Sequence, residues 1–209
     1  MKHISFPVVA AQDPTQDLIL DHAFDLFTRE GMKGFTVESL AKELTMSKKT
    51  IYKYFPSKEV LLKGMFQHIM KKVAGHFVRI LALEMNPLDK FLNILDAIFK
   101  TANDLPITKL GALKARYPSI WKEIETFRLA RRDDFYQLMQ EGREQNLVRK
   151  DVDIEMAATL FMTIINQVFQ PEFFIQNQYG TREVIVLFRN IYLRGILSDK
   201  GLNYMKEKL

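Results

Sequence analysis

The sequence predicts an all-α protein in which a small three-helix N-terminal domain precedes a larger helical domain. Apolar residues recur at spacings of three and four along almost the whole chain of 209 residues, and no segment shows the alternation that is typical of a strand. Only nine glycines and seven prolines interrupt this pattern, so the breaks between helices are few. The composition, 47% hydrophobic and 26% charged, is that of a globular chain that can bury a large core.

In the first part of the chain, helices are predicted at residues 14–31, 36–44, 47–55 and 57–83. Each begins at or directly after a residue whose side-chain oxygen can cap a helix N-terminus, namely Asp13, Thr36, Ser47 and Ser57. Pro14 suits the first helical position, Gly31 suits a helix end, and Pro56 stops the third helix by Phe55. Residues 1–12 hold one short apolar patch and are expected to form a frayed tail rather than a signal peptide.

The second half begins near residues 84–87, where polar and helix-breaking residues interrupt the apolar pattern. Helices are predicted there at about 87–103, 106–116, 118–145, 153–170 and 181–198. Asp153 and Thr181 are the expected caps of the last two helices. The chain is therefore divided into a tail (1–12), an N-terminal domain (13–60) whose last helix continues to about residue 83, and a C-terminal domain (61–209).

The composition also argues against several classes of protein. The absence of cysteine removes disulfides and thiolate metal sites, and it fits a reducing cytoplasm. No apolar run reaches the roughly 20 residues of a membrane-spanning helix, so no membrane association is expected. His68 and His76 are two helical turns apart, which argues against joint metal ligation, and no catalytic or phosphate-cradling motif is present. We expect no cofactor, no metal ion and no enzymatic activity.

Positive charge is concentrated in one segment of the chain. Between Lys42 and Lys72 there are eight lysines and two acidic residues, an excess larger than the net charge of +5 of the whole protein. Such a local excess indicates contact with a polyanion. A solvated lysine-rich surface is the alternative explanation, and charge alone does not separate the two.

The segment from Ser47 to Phe55 has the pattern of the second helix of a helix-turn-helix, which enters the major groove of DNA. Ile51 and Phe55 are one turn apart and are expected to face inward. The outward positions are then Lys48, Lys49, Tyr52 and Lys53. At such positions lysine ammonium groups and tyrosine hydroxyls can donate to phosphate oxygens.

The same region resembles the DNA-binding domain of TetR-type bacterial regulators. The resemblance covers about residues 14–65 and includes a specific Tyr-x-Tyr-Phe-x-x-Lys-Glu-x-Leu pattern from Tyr52 to Leu61. It extends weakly into residues 153–158 and 184–196, which match the dimer-forming region of the family. The family implies a regulator, usually a repressor, that binds a palindromic DNA operator as a homodimer and is released by a small apolar or amphipathic effector.

The resemblance also implies which side chains meet the DNA. The expected DNA-binding residues are Thr36, Ser47, Lys48, Lys49, Thr50, Tyr52, Lys53, Tyr54 and Lys58. Thr36 and Lys58 would contact phosphates at helix N-termini, Tyr52 and Tyr54 would also contact phosphates, and residues 48–50 would lie nearest the bases. Half-buried packing is the alternative role for either tyrosine.

Two positions depart from the family pattern. The turn reads Leu44-Thr45-Met46 where the family usually has Ala-Gly-Val. Thr45 must therefore adopt the backbone geometry of the missing glycine, with strain if its φ is positive. Lys49 stands where the family often has glycine, which adds a long cation close to the DNA.

In the C-terminal half, aromatic residues recur at helical spacing, and most of them must belong to the core. The candidates for lining an effector pocket are Phe99, Trp121, Phe135 and Phe169. The last two long helices have apolar faces too broad for an exposed surface, so they are expected to pair across a two-fold axis as a four-helix bundle. The expected dimer-interface residues are Leu160, Ile164, Val184, Leu187, Phe188 and Ile191, with Asn166 and Gln167 at the edge or paired across it.

Two other functions remain open from the sequence. One is a DNA-binding architectural module without sequence preference or effector, which would carry the same basic segment. The other is an all-helical enzyme that uses the carboxylates of Asp133, Asp134 and Glu141. Arginines at positions 131, 132 and 143 lie beside these acids, so a salt-bridged surface is the simpler explanation.

Overall fold

The structure, a computed structural model, describes residues 13–104 and 107–207. The tail expected at residues 1–12 lies outside the described residues. Within those residues the chain is helical without a strand, and one isolated antiparallel bridge joins Val148 and Leu197. The prediction of an all-α fold is confirmed. None of the described helices combines the length and the apolar character needed to cross a membrane.

The chain divides into two compact units, of which the first ends at Lys71 and the second begins at Lys72. The first unit contains α1 (Pro14–Gly34), α2 (Val37–Glu43), α3 (Lys48–Tyr54) and the beginning of α4 (Lys58–Leu81). After the end of α4, the second contains α5 (Pro87–Asp104), a short 3-10 helix (Ile107–Leu110), α6 (Gly111–Arg116), α7 (Pro118–Leu129), α8 (Arg132–Glu144), α9 (Ile154–Val168), α10 (Pro171–Asn177), α11 (Thr181–Ile196) and α12 (Asp199–Lys206).

Side-chain caps start the helices of the N-terminal unit, as the sequence predicts. The capping oxygens accept hydrogen bonds from amides two or three residues further along the chain, at 2.9 to 3.2 Å. They belong to Asp13, Thr36, Ser47 and Ser57. Each cap contributes on the order of 1 kcal/mol to the stability of its helix.

The regular part of α1 is interrupted at Gly31, where the sequence predicts its end. Gly31 has φ 65° and ψ −171°, a conformation that is open to glycine and costly for residues with a Cβ. A further helical turn carries α1 to Gly34, and the Phe35 amide donates to the Gly31 carbonyl at 3.0 Å. The kink therefore depends on glycine at this position.

Aromatic rings form the centre of the N-terminal unit. The ring of Phe27 meets those of Phe35 and Phe66 edge-on, with centroids 5.9 and 5.5 Å apart. Leu40 of α2 and Ile51 of α3 are fully buried in the same unit. This core joins α2 and α3 to the longer helices and so fixes the position of α3 within the unit.

Among the described residues of the N-terminal unit, His68 of α4 is a buried polar side chain. Its Nε2 lies 2.9 Å from Oδ1 of Asp21, and its Nδ1 lies 3.4 Å from Oδ1 of Asp17. Both carboxylates belong to α1, so the imidazole links the first helix to the fourth. Its burial gives this histidine a structural role in the core rather than a place on the surface.

Aromatic residues of α5, α8, α9 and α11 form the core of the C-terminal unit. Phe161 lies at the centre, and its ring centroid is within 6.0 Å of those of Phe91, Phe135, Phe188 and Tyr192. The Tyr192 hydroxyl donates to the Ala157 carbonyl at 3.1 Å, and burial raises the pKa of this phenol. The hydroxyl therefore serves as a neutral hydrogen-bond donor.

The prediction of a single helix over residues 118–145 is wrong. A tight turn at Ala130 and Arg131 separates α7 from α8, and the Arg131 amide donates to the Arg128 carbonyl, three residues back, at 3.0 Å. Side chains on both sides of the turn reach α9 or its C-terminal end, because Arg128 donates to the Phe169 carbonyl at 2.7 Å and Arg132 donates to Thr159 at 3.0 Å. These tertiary contacts override an uninterrupted helical pattern.

The starts of two other helices also differ from the prediction. The helix expected over 106–116 begins as a 3-10 helix and becomes α-helical at Gly111. Gly180, not Thr181, is the N-cap of α11, and Thr181 is its first helical residue. The Glu183 carboxylate accepts a hydrogen bond from the Gly180 amide at 3.3 Å, so the cap is supplied from inside the helix.

The sequence reading missed α10 and α12. α10 begins with Pro171 at its first position and ends at Asn177, and it is followed by Gln178, whose φ is 55°. α12 is capped by Ser198, whose amide also donates to the Leu147 carbonyl at 2.9 Å. A Cβ on Gly201 would lie 2.3 Å from the same carbonyl oxygen, so this close approach of α12 requires glycine.

Candidate nucleic-acid interface

The turn between α2 and α3 places threonine where the left-handed conformation favours glycine. Thr45 has φ 52°, as the helix-turn-helix interpretation requires. The Met46 amide donates to the Ala41 carbonyl at 2.9 Å, and the Thr45 amide donates to the Lys42 carbonyl at 3.2 Å. These are the paired hydrogen bonds of a Schellman motif. The turn therefore has the shape of a helix-turn-helix, with strain stored at Thr45.

α3 has one buried side and one exposed side. Ile51 is fully buried, and Phe55, directly after the helix, is 7% exposed. The opposite side carries the exposed residues Lys48, Lys49, Tyr52 and Lys53. Tyr52 is 41% exposed, which argues against a packing role for this tyrosine. The inward and outward positions agree with those expected from the sequence.

A carboxylate of α2 contacts one of the exposed lysines. The Lys48 ammonium donates to Oε1 of Glu38 at 2.8 Å, and more than half of each side chain is exposed. The hydrogen bond from Lys48 lowers the pKa of Glu38, and the same contact raises the pKa of Lys48. Both groups are therefore charged at neutral pH. Glu38 was not among the residues predicted from the sequence. The feature that could have drawn attention to it is its position as an acidic residue in the first turn of α2.

The hydroxyl groups expected to meet DNA are engaged in the helix caps. Oγ1 of Thr36 lies 2.9 Å from Oγ of Ser39, and Oγ of Ser47 lies 2.8 Å from Oγ1 of Thr50. These hydroxyls position the beginnings of α2 and α3. The proton of Thr36 is donated to Ser39, so a phosphate oxygen that accepts from Thr36 would have to replace Ser39. In the pair of Ser47 and Thr50, the hydroxyl that accepts keeps its own proton for a phosphate.

Lys58 and Tyr54 also contact groups of the protein. The Lys58 ammonium donates to the Phe35 carbonyl and lies 5.3 Å from the centroid of the Phe35 ring. Tyr54 is partly buried. The pKa of Asp13 is lowered, chiefly by the hydrogen bonds from Thr15 and to a smaller extent by Tyr54. The half-buried role considered for Tyr54 thus fits its surroundings better than it fits those of Tyr52.

A small, partly open cavity lies near the aromatic core in the described part of the C-terminal unit. Its volume is about 20 Å³, and Phe135 lines it together with Phe91 and Tyr192. This is space for a single water-sized molecule. Of the other predicted pocket residues, Trp121 and Phe169 do not line this cavity, and the side chain of Phe99 lies outside the described part of the structure.

Trp121 belongs to a polar cluster that the sequence reading did not anticipate. Its Nε1 donates to Glu125 at 2.9 Å and to Gln170 at 3.1 Å. The Arg128 guanidinium lies 5.0 Å from the centroid of the Trp121 ring and donates to the Phe169 carbonyl. Burial lowers the pKa of Arg128 to about 10, so this cation remains charged at neutral pH. The cluster joins α7 to the residues that follow α9.

α9 and α11 carry exposed apolar side chains. On α9, Leu160 and Ile164 are 53% and 40% exposed, and on α11, Leu187 and Ile191 are 62% and 63% exposed. The other predicted interface residues, Val184 and Phe188, are partly buried. The contact between the rings of Phe161 and Phe188 shows that the two helices are neighbours. Together they present an apolar surface of the kind that marks an interaction site.

Two polar residues near the end of α9 have different surroundings. Gln167 is exposed. Asn166 is partly buried, and its Oδ1 is buried without a hydrogen-bond partner among the described residues. Gln167 is therefore accessible to a partner, whereas this oxygen of Asn166 points into its own subunit.

The carboxylates considered for an enzyme are ion-paired. Asp133 and Asp134 pair with neighbouring arginines at 2.6 and 3.3 Å. Glu141 pairs with Lys90 of α5 at 2.9 Å rather than with the adjacent Arg143. Burial raises the pKa of Asp134. In the described part of the chain, no group of three or more acidic or histidine side chains is arranged to hold a metal ion.

Known proteins share both sequence and fold with this chain. The family model for bacterial regulatory proteins of the tetR family matches residues 19–65. The chain is 26% identical to YvaF, an uncharacterized HTH-type transcriptional regulator of Bacillus subtilis, over 87% of this chain and 95% of that protein. It is 23% identical to the HTH-type transcriptional repressor KstR2 of Mycolicibacterium smegmatis, over 68% of this chain and 71% of that protein.

A solved structure supports the same fold. A transcriptional regulator from Cytophaga hutchinsonii superposes with a TM-score of 0.69 at 17% identity, covering 89% of this chain and 100% of that chain. The matched family and the relatives are transcriptional regulators and not enzymes. The family match and the relatives therefore support a DNA-binding transcriptional regulator of the TetR type, with the match to the family itself lying in residues 19–65.

Proposed function

We propose that the protein is a cytoplasmic repressor that binds a palindromic operator as a homodimer and is released by a small apolar or amphipathic effector. The observation that carries the proposal is the exposed side of α3, where three lysines and Tyr52 lie opposite the buried Ile51. A helix with this arrangement suits the major groove, with its donors next to phosphates and base edges. The relative KstR2 is named a repressor, which supports repression as the outcome.

The first test removes two exposed lysines of α3. Lys48→Ala and Lys49→Ala are each expected to weaken DNA binding and to leave the Tm nearly unchanged, because exposed lysines contribute little to folding. Lys150→Ala is the matched control, since Lys150 is an exposed lysine of the C-terminal unit. It should change neither quantity. A large loss of stability with unaltered DNA affinity would assign both lysines to the fold and contradict the proposal.

The homodimer is proposed to form through α9 and α11. Exposed apolar residues on two neighbouring helices would be buried if the same helices of a second subunit packed against them as a four-helix bundle. A two-fold axis makes such an interface self-complementary. In the proposed complex with a palindromic operator, two copies of α3 would reach successive major grooves, roughly 34 Å apart.

An acidic substitution in the proposed interface tests the dimer. Leu187→Asp or Ile191→Asp should give monomers or insoluble protein, because a carboxylate would be buried without a partner. Val78→Asp is the control, since Val78 of α4 is 62% exposed and lies outside the proposed interface. It should remain dimeric by analytical ultracentrifugation. A well-folded dimer that still binds the operator after Leu187→Asp would place the interface elsewhere.

The effector is proposed to bind next to the small cavity. The lining is apolar apart from the Tyr192 hydroxyl, so an apolar or amphipathic molecule suits its chemistry. At about 20 Å³ the cavity is too small for such a molecule, and the aromatic side chains around it would have to move apart. Trp121 and Phe169 lie outside the present lining, so an effector that meets them would require a larger rearrangement.

The small size of the cavity also favours the alternative, a DNA-binding module without an effector. A screen of apolar compounds for an increase in Tm would identify a ligand, which is then titrated with and without operator DNA. A coupling of about 1 to 3 kcal/mol would change its affinity roughly 5- to 150-fold. Equal ligand affinities in the two titrations would mean that no coupling exists. If the screen identifies no ligand, the result would favour the DNA-binding module without an effector.

A further inference from the structure

Two adjacent lysines of α3 have different electrostatic surroundings. The ammonium of Lys48 donates to Glu38 of α2 at 2.8 Å, so this ion pair links the two helices of the helix-turn-helix. Lys49 is also exposed, and it forms no ion pair with another residue in the described chain. The charge of Lys58 further stabilises the carboxylate of Glu38. An acid therefore lies in the field of two cations on the surface that faces DNA.

We propose that Glu38 is a specificity-determining residue of the DNA-binding surface and that it acts by positioning Lys48. The inference rests on the proposed operator-binding function. Glu38 accepts a hydrogen bond from Lys48, offsets part of its charge and limits where its ammonium can lie. The effect is to weaken binding to DNA of arbitrary sequence more than binding to the operator.

The reasoning depends on how charge and geometry contribute to DNA binding. Binding without sequence preference comes from lysine and arginine charges that neutralise phosphates and release counterions. Sequence is read by donors and acceptors held at fixed places against the base edges. An ammonium that is already paired gains less binding free energy from a phosphate. It also loses less conformational entropy when it meets its partner in the operator, because the ion pair already restricts its position. Both effects increase the difference in affinity between operator DNA and DNA of random sequence.

The test compares the wild type with Glu38→Gln, which keeps the size of the side chain and removes its charge. Binding is measured by fluorescence anisotropy, at several salt concentrations, for two duplexes of equal length. One duplex is selected by the wild type from a random pool and the other is of random sequence. Affinity for the random duplex should rise about two- to fivefold, the scale of an exposed ion pair. Affinity for the selected duplex should rise less, so the ratio of the two affinities falls.

The salt dependence of DNA binding is a second measurement, and it would not change if Glu38 had a purely structural role. Without Glu38, Lys48 is available to one more phosphate, so the slope of log affinity against log salt should steepen by close to one. Glu43→Gln is the matched control, because Glu43 lies on the same helix and pairs with Arg29 instead. It changes the net charge equally, and it should leave the affinity ratio at the wild-type value.

A double-mutant cycle tests whether Glu38 acts through Lys48. In a Lys48→Gln background, Glu38→Gln should no longer raise affinity for the random duplex. An effect that persists there, an unchanged or higher ratio in Glu38→Gln alone, or an equal fall in Glu43→Gln would each overturn the inference. Failure of the proposed operator function is recognised separately, because the wild type itself would then bind the selected and random duplexes equally.

Discussion

Replacing Thr45 with glycine is expected to stabilise the DNA-binding unit. Thr45 has φ 52°, and the left-handed conformation costs a residue with a Cβ about 1 to 2 kcal/mol. Glycine avoids this cost but loses about 0.5 to 1 kcal/mol more backbone entropy on folding. Because Thr45 is exposed, little packing is lost with its side chain. The net gain in the free energy of unfolding should be about 0.5 to 1 kcal/mol.

The measurement has to report on the N-terminal unit. Trp121 is the protein's one tryptophan and belongs to the C-terminal unit, so its fluorescence does not follow unfolding of α2 and α3. Native-state hydrogen exchange of the amides in α2 and α3 does follow it. In Thr45→Gly, the amides that exchange through unfolding of this unit should exchange roughly 2- to 5-fold more slowly, as the expected free energy implies.

Glycine at a neighbouring right-handed position provides the control. Lys42 is exposed within α2, and Lys42→Gly should destabilise the helix by about 1 kcal/mol. In a right-handed helix glycine relieves no strain, so only its larger loss of backbone entropy on folding remains. The two glycine variants should therefore change hydrogen exchange in opposite directions. If Thr45→Gly leaves exchange unchanged or accelerates it as Lys42→Gly does, the strain assigned to this turn is absent and the reasoning is refuted.

Three further substitutions give distinct outcomes. In a urea titration, Gly201→Ala should lower the free energy of unfolding of the C-terminal unit by about 2 kcal/mol or more, since its Cβ would meet the Leu147 carbonyl. Gly75→Ala is the control, because there is open space around the added atom, and it should be neutral or stabilising. Tyr192→Phe removes a buried donor and should cost about 1 kcal/mol in that titration; no change would show that its hydrogen bond does not contribute. Tyr52→Phe should weaken binding to all DNA sequences about equally, and a selective effect at one base pair would argue against a phosphate contact.

The features that the sequence predicts well are those that local chemistry determines. A capping oxygen acts on an amide two or three residues away, so Asp13, Thr36 and Ser47 can be recognised without knowledge of the fold. The alternation of inward and outward positions on α3 follows from the helical period and a single buried residue, Ile51. The positive φ of Thr45 follows from the geometry of the turn itself.

The features that the sequence does not reveal depend on distant partners. No glycine or proline marks the turn at Ala130, and the contacts of the flanking arginines lie on another helix. The pairing of Glu38 with Lys48 requires the angle between α2 and α3, which sequence spacing does not give. Aromatic spacing likewise did not separate Phe135, which lines the cavity, from Trp121, which joins a polar cluster.

The burial of His68 determines how small an isolated DNA-binding fragment of this protein can be. The family match covers residues 19–65 and so omits both His68 and Asp17, one of the two carboxylates on α1 that the imidazole meets. A fragment cut at those limits would lose the contact between Asp21 and His68 and the cap at Asp13. A fragment that keeps these contacts must therefore run from Asp13 to beyond His68, and it includes the beginning of α1, which lies outside the matched segment.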